Sequence, residues 1–172
     1  QTYQQSRSTL KEAFWRTLIG DIVNEDGKGD IRVTPSASEK SFWKAWEFHD
    51  PKTNHQTAVD ISENGKDHSL NTSTGSIMRA LYHAQERRFI VSGEGLFGNC
   101  CRNVRPGDEI WIVKGGRMPL ILRMAKVDEV DVSEVETLSP LCTFVGDCYV
   151  HGIMDGERVP KGDEEYERVF IT

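Results

Sequence analysis

The stretch Tyr149-Val150-His151-Gly152-x-x-Asp155-x-Glu157 holds the residue types that most invite chemistry. An imidazole near two carboxylates can exchange protons at neutral pH or hold a cation. On that reading His151, Asp155 and Glu157 are the acid–base groups of a hydrolytic enzyme. A plainer account competes with it. Tyr149 and His151 share one face at a strand end, Asp155-Gly156 is a turn, and His151 bonds the turn backbone. The plainer account is preferred, so no catalytic residue is assigned. A metal centre made from Cys148, His151, Asp155 and Glu157 would need the strand end to fold back, and the spacing follows no zinc pattern. Neither a metal nor a cofactor is expected.

Arg117 and Arg123 flank one hairpin. Guanidinium forks match carboxylate and phosphate, so these two, with Tyr149 and His151, make the candidate ligand site at the mouth of a barrel. The alternative is internal pairing with Asp108, Glu109 or Asp147. Gly93-x-Gly95-x-x-Gly98 matches a dinucleotide fingerprint in letters only, because no helix pattern follows it. Its glycines read as turn or bulge positions. Cys100-Cys101, near Arg102 and Arg105, resembles an activated thiol, but no orienting third group can be named beside His83 or His151. The four cysteines, Cys100, Cys101, Cys142 and Cys148, are expected as reduced, mostly buried thiols in a cytoplasmic protein.

The elements that must position these groups fall in two halves. Thr9-x-x-Glu12 is a capping box ahead of Leu10, Phe14 and Leu18, which predicts a helix over 9–20 ended by Gly20-Asp21. Residues 24–30 read as a turn-rich loop. Ser36-x-x-Glu39 opens a second helix over 38–49, with Phe42 and Trp46 one turn apart. Trp43 and Trp46 are three apart on it, so one of them is expected on a partner interface. Residues 51–75 are too polar to offset their ordering entropy and are expected to be a disordered loop. A third helix over 74–86 turns Ile77, Ala80, Leu81 and Ala84 inward.

From Arg87 the period becomes that of strands. Runs at 89–91, 109–113, 118–123, 143–150 and 169–171 are separated by glycine and proline turns, and 127–138 reads as an acidic edge strand or loop. The fold class is therefore α+β: a small, mostly antiparallel β-barrel with about three N-terminal helices, taken as a single domain over 1–172. A helical lead-in occupies 9–50, and the third helix and barrel occupy 76–172. Net charge is −6, which disfavours a general nucleic-acid role. No apolar run reaches the ~20 residues of a membrane helix. The polar lead 1–8 looks like a domain boundary, and any catalysis is expected in an N-terminal domain outside this chain.

An ordered series of motifs carries a resemblance. Arg87-Arg88-Phe89-Ile90-Val91, Gly95-Leu96-Phe97-Gly98, Pro106-Gly107-Asp108 and Gly115-Gly116-Arg117-x-Pro119-x-x-Leu122-Arg123 occur in that order. Tyr149-Val150-His151-Gly152-Ile153-Met154-Asp155-Gly156-Glu157 follows. Together these resemble the C-terminal barrel region of fungal heterokaryon-incompatibility (HET) domain proteins, and Phe14-Trp15-Arg16-Thr17-Leu18-Ile19 resembles its lead-in. The resemblance implies a regulatory, sensing or partner-binding role in allorecognition or programmed cell death. It implies a protein partner, or the N-terminal HET domain of the same chain. Nothing in the sequence matches that HET domain, so no catalytic residue carries over. A ligand-sensing barrel and the hydrolytic enzyme above are the alternatives.

Overall fold

A computed structural model describes residues 8–24, 30–33, 35–49, 72–125, 141–159, 161–162 and 166–172. The chain divides into two compact units, Gln1–Glu86 and Arg87–Thr172. The expected loop lies outside the described residues over 51–71, and its last residues already belong to a helix that begins at Thr72. The acidic segment 127–138 also lies outside them.

The first unit holds α1 (Leu10–Leu18), β1 (Ile22–Asn24), β2 (Asp30–Arg32), α2 (Pro35–His49) and α3 (Thr72–Ala84). Thr9 starts α1, its Oγ1 accepting the backbone N–H of Glu12 at 3.1 Å. The Glu12 carboxylate does not reach back to complete the box; it takes Arg16 Nη1 at 2.9 Å. Pro35 opens α2, where its missing N–H has no helical partner to lose. The core gathers Trp15, Phe42, Ile77 and Leu81. Within α1 the buried residues are Ala13, Trp15 and Thr17, whereas the expected stripe of Leu10, Phe14 and Leu18 is half-buried. Trp15 decides this, since its ring packs 5.5 Å from that of Phe42 and a tryptophan outweighs a leucine in buried area. β1 and β2 pair antiparallel across the predicted loop.

After α1, Gly20 and Asp21 both take left-handed backbone, at φ 63° and 60°. That conformation is uncommon for a residue with a Cβ. Here the Asp21 carboxylate is buried and receives Arg16 Nε at 2.6 Å, Arg16 Nη2 at 2.8 Å and Arg32 Nη1 at 2.9 Å. Charge-assisted bonds of this kind offset the backbone cost.

The second unit is built on one sheet in the order β3 (Arg87–Val91), β4 (Phe97–Cys101), β7 (Leu141–Val150), β6 (Leu120–Met124), β5 (Glu109–Trp111). These four pairings are antiparallel, and β8 (Phe170–Ile171) adds in parallel to β7. β7 is long enough to carry β6 along 142–147 and β4 along 148–150. Two glycines make the crossing possible. A Cβ on Gly146 would meet the Cys101 side chain at 2.6 Å, and one on Gly98 would meet Ile90 Cγ1 at 2.9 Å. The α+β class, the three helices and the antiparallel pairing agree with the sequence reading. Closure does not: among the described residues the strand order ends on β3 and β5, which leaves an open sheet in place of a closed barrel.

One further expectation is corrected, and one is met. Cys100 and Cys148 are not free thiols. The β4–β7 register sets them directly opposite with Cα atoms 4.3 Å apart, and they form a disulfide. They lie 48 residues apart in sequence, so only the register could reveal the pairing. Cys101 and Cys142 are free. The Gly93-x-Gly95-x-x-Gly98 run leads into β4, as a hairpin turn and not a helix start.

Candidate functional site

β3 and β5, the two ends of the strand order, both border a cleft of about 960 Å³ in the second unit. Ile90, Ile110, Ile121 and Ile153 give it an apolar lining. The pairing explains why. Ile90 stands opposite Gly98, whose missing side chain leaves room, and Ile110 stands opposite Ile121 on the neighbouring strand. Cross-strand partners share a face, so these side chains collect on one side of the sheet. Arg88 and Arg105 stand together at one end, because Arg88 Nη1 donates to the Val104 carbonyl at 3.1 Å. Arg158 pairs with Glu94 at 2.7 Å.

Asp108 anchors the turn between β4 and β5. Its carboxylate is only 2% exposed. It receives Arg123 Nε at 2.7 Å, Arg123 Nη2 at 2.8 Å and the backbone N–H of Arg105 at 2.8 Å. The Arg123 bonds hold the Asp108 carboxyl below the usual carboxylate range, against the opposing effect of burial. Arg123 is raised for the same reason. Its Nη2 also reaches the Asn103 carbonyl at 3.1 Å. Burial pushes the Cys142 thiol up, with Glu109 adding to the effect.

Of the four residues expected at a ligand site, the structure brings Tyr149 and His151 together and sets Arg123 apart from them. Arg123 is held by Asp108, as in the internal-pairing alternative. Arg117 is exposed on the loop between β5 and β6. Tyr149 and His151 are both buried, and Tyr149 Oη lies 3.0 Å from His151 Nδ1. Tyr149 pairs with Asn99, whereas Arg88 and Ile90 pair with Cys100 and Gly98. Alternation therefore puts Tyr149 on the face of the sheet opposite the cleft. Arg123 stands opposite Thr143, six residues from Tyr149 along β7, or roughly 20 Å at ~3.3 Å per residue.

Of the acid–base candidates, Glu157 caps its own turn, accepting the Asp155 N–H at 2.8 Å, and both carboxylates are exposed while His151 is buried. Among the described residues no group of three or more His, Cys, Asp or Glu side chains is placed to hold a metal ion. Trp43 is half-buried, edge-on to Phe42 at 5.0 Å with Lys11 Nζ 4.7 Å above its ring. Trp46 is more open, 37% exposed, and stacks on Phe42 at 5.9 Å. Sequence reasoning missed Arg88 as a cleft residue. The available signal was its alternation with Ile90 in a strand, which puts both on one face.

Three helices leading into a mostly antiparallel sheet with one long shared strand define an α+β sheet module. The chain matches the Het-6 beta-barrel domain over residues 1–171 and belongs to that family, in keeping with the heterokaryon-incompatibility resemblance of its motifs. No curated protein and no solved structure matches it. No helix among the described residues is long and apolar enough to cross a membrane.

Proposed function

We propose that the chain is a non-catalytic regulatory module of a heterokaryon-incompatibility-type protein. In this reading it binds a protein partner, or an N-terminal HET domain, in allorecognition or programmed cell death signalling. The observation that carries this is the family match along almost the whole chain. The surface supports it: Trp46 and Tyr82 are large aromatic side chains left exposed on the helical unit, and aromatic side chains are enriched where partners dock. A cytoplasmic setting follows the same family reading. The Cys100–Cys148 disulfide weighs against it, since such bonds are rare in reducing compartments. Full burial of both cysteines, which keeps reductant away, is the counterweight.

The test is chemical crosslinking of the purified chain to a separately expressed HET domain. Trp46→Ala is the better probe, because Trp43 is already half-covered by Lys11 and Phe42. Crosslinks lost in Trp46→Ala, with an unchanged circular dichroism spectrum, support the reading. Equal crosslinking in both chains removes Trp46 from the interface, and no crosslinks at all remove the HET domain as the partner. A second reading, ligand sensing, is favoured by the cleft beside β3 and β5.

A further inference from the structure

We infer that the cleft bordered by β3 and β5 binds an amphipathic carboxylate: an apolar chain or ring lying on the isoleucines, its anionic group held by Arg88 and Arg105. The inference rests on the ligand-sensing reading and gives it a chemical class.

Two acids of the lining are already answered by arginines. Asp108 is neutralised by Arg123, and Glu94 by Arg158. Glu109 pairs with Leu122, whereas Ile110 pairs with Ile121. Its side chain therefore leaves the opposite face of β5 from Ile110, where it accepts Trp111 Nε1 at 3.0 Å. Glu167 follows Tyr166, whose ring lies 5.4 Å from Lys114 Nζ. Lys114 is three residues past the end of β5, so Tyr166, the neighbour of Glu167, lies at the end of β5 away from the turn that carries Arg105.

Arg88 and Arg105 differ from three other arginines of the unit, each of which is held by an acid. Arg87 is held by Asp147 at 2.9 Å, Arg123 by Asp108, and Arg158 by Glu94. Arg88 meets a neutral carbonyl, that of Val104. Arg105 gives its backbone N–H to Asp108, and its side chain is exposed at the cleft. Two guanidinium groups at one end of an isoleucine-lined cleft match an anion with an apolar body. At about 960 Å³ the space is at the upper end of the range for small-molecule sites. Neither feature alone chooses this ligand. Arginines alone would accept any anion, and isoleucines alone any oil.

The experiment is isothermal titration of the full chain with octanoate, 2-naphthoate and octanol, with isoleucine methyl NMR to locate binding. Octanoate or 2-naphthoate should bind about tenfold or more tighter than octanol, the ratio expected for added charge-assisted hydrogen bonds. The methyl signals of Ile90, Ile110, Ile121 and Ile153 should shift. Arg105→Gln should remove most of the preference over octanol and leave the melting temperature unchanged. Arg88→Gln should do the same if the chain stays folded without its bond to Val104; Arg105→Gln carries the test if it does not. Octanol binding as tightly as the carboxylates overturns the anion assignment but keeps a ligand cleft. Absence of saturable binding by all three overturns both. Carboxylate binding unchanged in Arg105→Gln and in a folded Arg88→Gln also overturns the assignment.

Discussion

Asp21 in the helical unit and Asp108 in the sheet unit are both buried carboxylates gripped by arginine, with side chains 1% and 2% exposed. Asp21 takes three bonds from two guanidiniums, Arg16 and Arg32. Asp108 takes a forked pair from Arg123 and a third bond from the Arg105 backbone. In the helical unit both arginines near the acid are engaged by it, beside an aromatic core. At Asp108 one guanidinium, that of Arg123, is engaged, while Arg88 and Arg105 line a cleft that the strands leave open. Arg123 fills the role at Asp108 that Arg16 and Arg32 share at Asp21, which leaves the Arg105 guanidinium at the cleft although its backbone bonds the same acid. An aromatic core in one unit and a lined cleft in the other predict different costs when a side chain is lost.

Trp15→Ala should have the largest effect. Trp15 is fully buried against Phe42, and truncating such a side chain costs about 3–5 kcal/mol. Urea unfolding should show the loss, and amide exchange should report it in α1, α2 and α3. Trp15 Nε1 has no hydrogen-bond partner among the described residues. Trp15→Phe should therefore cost clearly less than Trp15→Ala, since it removes an unpaired buried donor along with some volume. Equal costs for the two would mean that the ring nitrogen does have an acceptor.

The sheet unit is tied differently. Its disulfide closes a 48-residue separation, for which the chain-entropy account gives about 4 kcal/mol, an upper figure if the reduced chain keeps some structure. Joint Cys100→Ala and Cys148→Ala replacement should lower the melting temperature, and reductant should then have no further effect. If reductant does not destabilise the parent chain either, the bond does not hold the sheet, and β4–β7 pairing rests on the ladder alone.

Much of this was legible in the residues, and the illegible parts share a cause. Thr9, Gly20 and Asp21 marked the ends of α1 because capping and left-handed turns are local effects. The β5–β6 hairpin was legible from its β-branched runs and from Gly115-Gly116. β4 was not, because Phe97-Gly98-Asn99-Cys100-Cys101 has no apolar alternation and owes its strand to β3 and β7 on either side. β1 and β2 were hidden in the same way beside a glycine-rich loop. For Arg123 the sequence leaves open an external anion or internal pairing with Asp108, Glu109 or Asp147, and the preferred internal pairing is what the fold shows. Its anion is Asp108, fifteen residues away. Arg88 faces the cleft only because the chain alternates from Ile90.

Asp108→Asn should have the next largest effect, about 1–3 kcal/mol at neutral pH, the usual cost of removing one partner from buried charge-assisted bonds. Its pH dependence fixes the cause. An unfolded carboxyl titrates near about 3.9, and Arg123 holds the folded one lower. The folded state thus binds fewer protons in that window, and the stabilisation is complete above it. It is lost as pH falls through the depressed folded value. The gap in stability between parent and Asp108→Asn should be constant from about pH 7 to pH 5 and narrow below about pH 4. A gap that stays constant down to pH 2 would show that Asp108 acts through shape and not through charge.

Substitutions at the start of α1 have the smallest effects and give the sharpest test of how the helical unit is built. Thr9 Oγ1 satisfies one backbone N–H at the start of α1, a contact worth about 1 kcal/mol when lost. The sequence box also expects Glu12 to bond back toward Thr9, but its carboxylate is turned to Arg16, the residue that grips Asp21 at the other end of the helix. Two variants separate these roles. Thr9→Ala should destabilise by about 1 kcal/mol at any salt concentration, since the bond it removes is neutral. Glu12→Gln should cost less, about 0.5 kcal/mol, and its cost should shrink only in part in high salt, because the pair is partly buried. If Glu12→Gln costs more than Thr9→Ala, Glu12 supports the Arg16 grip on Asp21. The start of α1 and the turn that ends it would then be one electrostatic network, with no equivalent around Asp108.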